Sequence, residues 1–297
     1  NELIANFNPN GKPKDSVARG NGYLKQTSPE RTSEVRGNEL NTVFDGNGLI
    51  QNANAVGSSS AVLVPTNPQD YCKATMSAPN AIRVNYANGV LNQMVTDGRT
   101  TVKLDAPNNQ PNSANKTVTA NQVRSVFGAN GKDLSKVEAV GDAELFIEPL
   151  NAAPENYKTT VNAPRFDCDF YEAGNLARNC AASTKAKAVR VPTVQRANRG
   201  IQTILGDKLN AIFNQQTQDV QQFDAIGNAK FNELDRNGLA DQMNYTAGDE
   251  VVRLRGGEPT VFDSRARAKA SEIDWDTKNQ KSFLREKVRQ TYYNQKQ

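Results

Sequence analysis

The stretch GNELNTVFD (Gly37–Asp45) returns as GDKLNAIFN (Gly206–Asn214), with Gly, Leu, Asn and Phe at the same offsets. Further copies lie between them: Ala120-Asn-Gln-Val123 leads to Phe127, and Ala163-Pro-Arg-Phe166 leads to Phe170. A looser copy opens at Ala78, and Gly248-Asp-Glu-Val251 closes the series. The starts at 37, 78, 120, 163, 206 and 248 keep a period of about 42 residues, and self-similarity at such a spacing marks a repeat architecture. A counter-motif runs between these copies, as Ala18-Arg-Gly20, Ala139-Val-Gly141 and Ala225-Ile-Gly227, with Gly57, Gly98 and Thr184 in the intervening slots. Each period therefore holds two half-units.

Turn residues keep the same beat. One set comprises Asp45–Gly48, Asn88-Gly89, Gly128–Gly131, Ala173–Asn175, Asn214–Thr217 and Arg255–Gly257. The other comprises Pro65–Pro68, Pro107–Pro111, Pro149–Pro154, Pro192–Asn198, Asp235–Gly238 and Asp276–Asn279. Gly and Asn reach the left-handed conformations of tight reversals, and Pro ends ladders. Between the turns apolar residues fall on alternate positions, as in Leu40, Thr42, Phe44 and in Ala143, Leu145, Ile147. That period is the period of a strand with one buried face. Lys281–Arg289 is the one stretch that also reads as a helix, but it alternates as well and fits an edge strand.

The chain is thus predicted to zigzag in traverses of ~16–20 residues, too long for one flat strand of ~5–6 residues. Glycines such as Gly20, Gly141 and Gly227 suit a bend midway, because glycine inside a strand marks a bulge or corner. The expected fold is all-β: an elongated antiparallel stack of about six ~42-residue repeats forming two facing sheets, apolar sides inward. Residues 1–17 are expected to be a linker or irregular. Residues 18–297 form the repeat domain, either whole or as tandem modules of about 18–150 and 151–297.

Composition narrows the chemistry. Only 37% of the 297 residues are apolar, as expected where each element buries one side. There is no histidine, which removes the commonest general base and metal ligand together with every Ser–His and Cys–His dyad. The three cysteines, Cys72, Cys168 and Cys180, show no zinc-like spacing. No metal or cofactor is expected. The 36 basic and 32 acidic side chains give a net charge of +4 without a basic block, so nucleic acid is not an expected partner. No apolar run reaches the ~18–20 residues of a membrane helix. The opening NELIANFNPNGKPKDS lacks an initiator Met and a signal peptide, so a mature form or excised piece is expected, with any anchor outside this chain.

The carboxy-terminal run YTAGDEVVRLRGGEPTVFDSRARAKASEIDWDTKNQKSFLREKVRQTYYNQ (Tyr245–Gln295) resembles the OstA/LptA family of lipopolysaccharide-transport proteins. The matching pattern is Y-x-x-x-x-E-V-V-x-L-x-G-x-P-x-V followed by A-x-A-x-x-I-x-W-D. The earlier repeats share its phase in more degenerate form. The resemblance implies a β-taco, or β-jellyroll, that is not an enzyme. It further implies a periplasmic location, acyl chains of lipopolysaccharide or a similar lipid in an apolar groove, and edge-strand pairing with other OstA/Lpt-type β-domains.

Inward positions that would line such a groove are Leu40, Phe44, Val123, Phe127, Leu145, Ile147, Phe166, Phe170, Leu209, Phe213 and Phe231. The same residues would equally fill a closed core, as in a structural envelope scaffold or adhesin. Cys168 and Cys180 flank Gly174 symmetrically, so a hairpin turning there would bring them within disulfide reach; two buried free thiols are the alternative. Trp275 and Tyr292-Tyr293 are either a docking patch or strand-packing residues. A carbohydrate-active β-solenoid would need carboxylates converging with aromatics. The pairs Asp167/Asp169 and Asp274/Asp276 instead flank turns, away from such a cluster.

Overall fold

The computed structural model describes residues 1–29, 31–67, 73–106, 113–195, 199–276, 279 and 281–293. Cys72 and the Pro107–Pro111 turn lie outside the described residues. The fold is all-β and antiparallel, with no helix among the described residues. The first strands are β1 (Glu2–Phe7), β2 (Pro13–Thr27), β3 (Arg31–Phe44), β4 (Ile50–Val56), β5 (Ser59–Pro65) and β6 (Lys73–Ala78). Next come β7 (Ala81–Ala87), β8 (Val90–Asp97), β9 (Thr100–Asp105), β10 (Ala114–Ala120), β11 (Gln122–Phe127) and β12 (Leu134–Pro149). Then follow β13 (Tyr157–Phe170), β14 (Ala177–Pro192), β15 (Gln202–Phe213), β16 (Val220–Glu233), β17 (Arg236–Thr246) and β18 (Val251–Arg255). The last are β19 (Thr260–Phe262), β20 (Ala266–Lys269), β21 (Glu272–Asp276), β22 (Lys281–Arg285) and β23 (Arg289–Tyr292). Two compact units divide the chain: Asn1–Leu145 with Asp167–Ala177, and Phe146–Phe166 with Arg178–Gln297.

In the first unit, long strands change sheet partway. The outer half of β3 pairs with β5 through Arg31–Arg36, and its second half pairs with β4 through Glu39–Phe44. Opposed residues of an antiparallel pair share a face, so the register builds cross-strand rows. One sheet presents Ala18, Leu40, Ala55, Ile82 and Thr96 in a line. The other presents Leu24, Val35, Ala61, Met76 and Val102. Leu40, Ala55 and Ile82 from the first join Val35, Ala61 and Met76 from the second in one buried cluster. The two sheets therefore face each other over a shared core.

The second unit repeats the plan. One inner row runs Ala182, Leu209, Ala225, Met243, Leu254, Ile273 and Leu284. The opposing sheet contributes Ala188, Ile204, Phe231, Gly238, Val261 and Ala268.

The bends lie where the counter-motif placed them. Gly57 and Ser58 have φ of 70° and 49°, and Gly141 and Asp142 have 82° and 46°. Two successive left-handed residues swing the strand from one sheet into the other, and glycine stands first at Gly20, Gly57, Gly141, Gly227 and Gly256, where a Cβ would be strained. The partner half of the repeat supplies an Asx residue that covers it. A Cβ on Gly57 would sit 2.8 Å from Asn38 Nδ2, and one on Gly141 would sit 2.7 Å from Asn121 Nδ2. Backbone bonds close the same crease, Asn38 N–H donating to Gly57 O and Asn121 N–H to Gly141 O, both at 2.9 Å. This is why the opening motif reads Gly-Asn, Ala-Asn and Gly-Asp.

Two expectations are corrected. The residues expected to be a linker or irregular carry β1 and the start of β2, which pair from Glu2↔Arg19 to Phe7↔Pro13. Every residue of β1 is exposed, so an edge strand with no buried face gives no alternation to read. Near the carboxy end the repeat phase slips. Gly248 lies in the hairpin turn between β17 and β18, whereas Gly256 and Gly257, expected as a turn, form the crease with φ of 73° and 66°. Asp241 covers them, so Ala240-Asp241 is the true counterpart of Gly206-Asp207.

Lys281–Arg289 is a creased strand pair, β22 and β23, bent at Glu286 and Lys287 with φ of 57° and 47°.

Candidate functional site

The inward positions expected from the sequence are buried to different depths. Leu40, Val123, Phe127, Phe166 and Leu209 are buried, while Phe44, Leu145, Ile147, Phe170, Phe213 and Phe231 are half-buried. Leu40 and Phe127 belong to one packed cluster in the first unit. Val123 is fixed to Thr96, whose Oγ1 accepts its N–H at 2.8 Å. Leu209 and Phe231 lie on opposite sheets of the second unit, and the Phe231 ring meets Trp275 edge-on with centroids 5.3 Å apart. Trp275 is thus an interior packing residue, whereas Tyr292 and Tyr293 are exposed. Phe170 and Leu145 fall in the first unit, and Phe166 and Ile147 in the second.

The crease end of each interior is lined by small residues and closed. Ala55, Ala120, Ala225 and Ala229 have at most 1% of their surface exposed. The opposite end, where hairpin turns of the two sheets meet, is polar. In the first unit the Arg31 guanidinium, from one sheet, donates to Gly131 O in a turn of the other, and lies 5.7 Å from the Phe127 ring centroid. Burial raises the phenol pKa of nearby Tyr86, and the Arg31 charge opposes that shift. A cavity of about 170 Å³ opens beside this bridge, lined by residues including Gln26, Arg31, Leu91 and Gly131. That is below the ~300 Å³ at which small-ligand pockets begin.

The second unit carries a polar row on its inner face, which the search for apolar alternation passed over. Arg190, Gln202, Glu233 and Arg236 stand directly opposite one another on β14 to β17. Glu233 is buried and accepts from Gln202 Nε2 at 3.2 Å, with Arg199 and Arg236 guanidinium nitrogens at 3.9 and 3.8 Å. Arg190 donates to Gln202 Oε1 at 2.9 Å and covers the Tyr157 ring at 4.2 Å. Burial pushes its pKa below the usual guanidinium value. The parity that places Ala186 and Ala188 inside also points Arg190 inward, and that was the available signal.

Asp274 is held by Arg255 and Arg285 on a strand face, each at 2.6 Å. No group of acidic or thiol side chains suited to a metal occurs among the described residues. Cys168 and Cys180 are both in disulfide linkage.

Each unit is an antiparallel sheet creased on itself, apolar within and polar at one rim, and this places the chain among folded double-sheet β-proteins. A family model described as LptA/(LptD N-terminal domain) LPS transport protein matches residues 194–281, a run that includes β15 to β21. Residues 194–281 are thus similar to that family, and the match overlaps the pattern read at Tyr245–Gln295. No curated protein matches the chain.

Proposed function

We propose that this protein is a periplasmic carrier of lipopolysaccharide or a similar amphiphile and not an enzyme. Acyl chains lie against the inner faces of the folded sheets, and head groups leave through the polar rim. The observation that carries this reading is the lipopolysaccharide-transport family match over residues 194–281, the segment that supplies inner-face residues Leu209, Phe213 and Phe231. The physics agrees with it. Each CH₂ withdrawn from water contributes ~0.8 kcal/mol, and rows repeated strand after strand offer a moving chain similar surroundings at each step.

Exposed edges serve like domains. On its described side β1 pairs with β2, and Leu3 and Phe7 are 72% and 64% exposed, so this edge can accept a strand from another OstA/Lpt-type domain.

The purified full chain tests the reading against intact lipopolysaccharide and the same molecule stripped of its acyl chains by base. Retention of the intact form alone is expected. Equal retention of both forms, or of neither, contradicts an acyl-chain site.

A further inference from the structure

Two guanidiniums at the inner rim of the second unit, Arg199 and Arg236, flank the Glu233 carboxylate, and a third, Arg190, is linked to it through Gln202. Register places Arg190, Gln202, Glu233 and Arg236 on one cross-strand line, hence on one face. Arg199 joins them just before β15, 3.9 Å from Glu233. Glu233 is shared between Arg199 and Arg236 and also accepts the Gly200 N–H at 3.4 Å. Arg190 has only the neutral Gln202 as its hydrogen-bond acceptor among the described residues, and Glu233 acts on it through space. A cation drawn out of water without its own anion is costly, and an arriving anion relieves that cost. Tyr245 stands near Arg190 and Arg199 from the opposite sheet, so the cluster faces the space between the sheets.

The next row inward is Ala188, Ile204, Phe231 and Gly238, two residues along each strand. Two residues span ~7 Å, so cations and apolar surface are separated by about the distance between an anionic head group and its first chain carbons.

We propose that Arg190, assisted by Arg199 and Arg236, binds the phosphate of an amphiphile whose acyl chains rest on the Ile204–Phe231 row. The proposal rests on the carrier reading above and specifies the head group that the rim selects. Guanidinium forks match phosphate oxygens in two-point contact. Glu233 competes for the same cations, which holds the rim together when empty and limits how tightly an anion is kept.

Binding of a phosphorylated glycolipid and of the same lipid after phosphatase treatment, both in mixed micelles, tests this on the full chain. Wild type is expected to favour the phosphorylated form by about tenfold, the scale of one charge-assisted hydrogen-bond pair. Arg190→Gln should cut that preference several-fold, read as the ratio of the two affinities within the variant itself. Glu233→Gln, which keeps the shape and removes the competing charge, should strengthen phosphate selectivity, an outcome that a purely structural role does not produce. If Arg190→Gln does not fold, Arg199→Gln must reduce the preference several-fold. An undiminished preference in whichever of these arginine variants folds overturns the proposal. Wild-type binding of both lipids equally overturns the phosphate site alone, while binding of neither overturns the carrier reading with it. Inorganic phosphate bound as tightly as the lipid would assign the site to free phosphate and overturn the head-group assignment.

Discussion

Phe231 and Trp275 meet across the interior of the second unit, one from each sheet, with their ring planes at 72°. They close the apolar layer just inside the charged rim, where Arg236 lies 5.7 Å from the Trp275 ring centroid. Trp275 is the sole tryptophan, so emission excited selectively in tryptophan, away from the tyrosines, reports on this one contact. Lipid entering between the sheets should shift or quench that emission in a saturable way, and Phe231→Ala should weaken the response. Removing the Phe231 ring is also expected to lower stability by about 3–5 kcal/mol if the site does not collapse, measured by denaturant unfolding.

The crease gives a second prediction. Gly57→Ala places a Cβ on a left-handed residue and against Asn38, so a loss of about 1–3 kcal/mol is expected. Gly46→Ala, in a turn with nothing within 4 Å of the added atom, should change stability by less than about 0.5 kcal/mol. Equal effects at both positions in chemical unfolding would refute the crease geometry.

Acid should act on the turn at Asp263. The Arg265 side chain, together with the N–H groups of Arg265 and Ala266, holds this carboxyl down at about 2. Because the folded value lies below the unfolded one, the contribution is present above the unfolded pKa of about 4 and is lost as pH falls through about 2. Asp263→Asn should therefore flatten the decline in stability between pH 4 and 2, read from melting curves at each pH.

The cysteines give a chemical prediction. If Cys168 and Cys180 are bonded to each other, tryptic peptides Phe166–Arg178 and Asn179–Lys185 will appear joined without reductant and separate after reduction. Both thiols reacting with an alkylating agent in the unreduced, denatured chain would refute the pairing.

Much of the architecture was legible because it is periodic. Leu40, Phe127 and Leu209 announced inner faces by parity, and Gly57, Gly141 and Gly227 announced creases by needing positive φ. Where the physics needs no apolar residue, the sequence was silent. β1 buries nothing and looked irregular, and the creases at Thr184-Lys185 and Glu286-Lys287 use no glycine. Gly248 misled because glycine serves hairpins and creases alike. The rim row was hidden for another reason: Arg190, Gln202 and Glu233 share the parity of inward Ala188, Ile204 and Phe231, but polar side chains do not announce a buried face.

The most direct test of the carrier account is photo-crosslinking in cells from single benzoylphenylalanine substitutions at Phe213, Phe231 and Lys230. Phe213 and Phe231 are half-buried inward positions, and Lys230 is an exposed neighbour on the opposite strand face. Lipopolysaccharide adducts at Phe213 and Phe231 but not at Lys230 are predicted. A protein that remains active in cells yet gives no adduct at either inward site, or gives equal adducts at Lys230, would contradict the claim that acyl chains travel between the sheets.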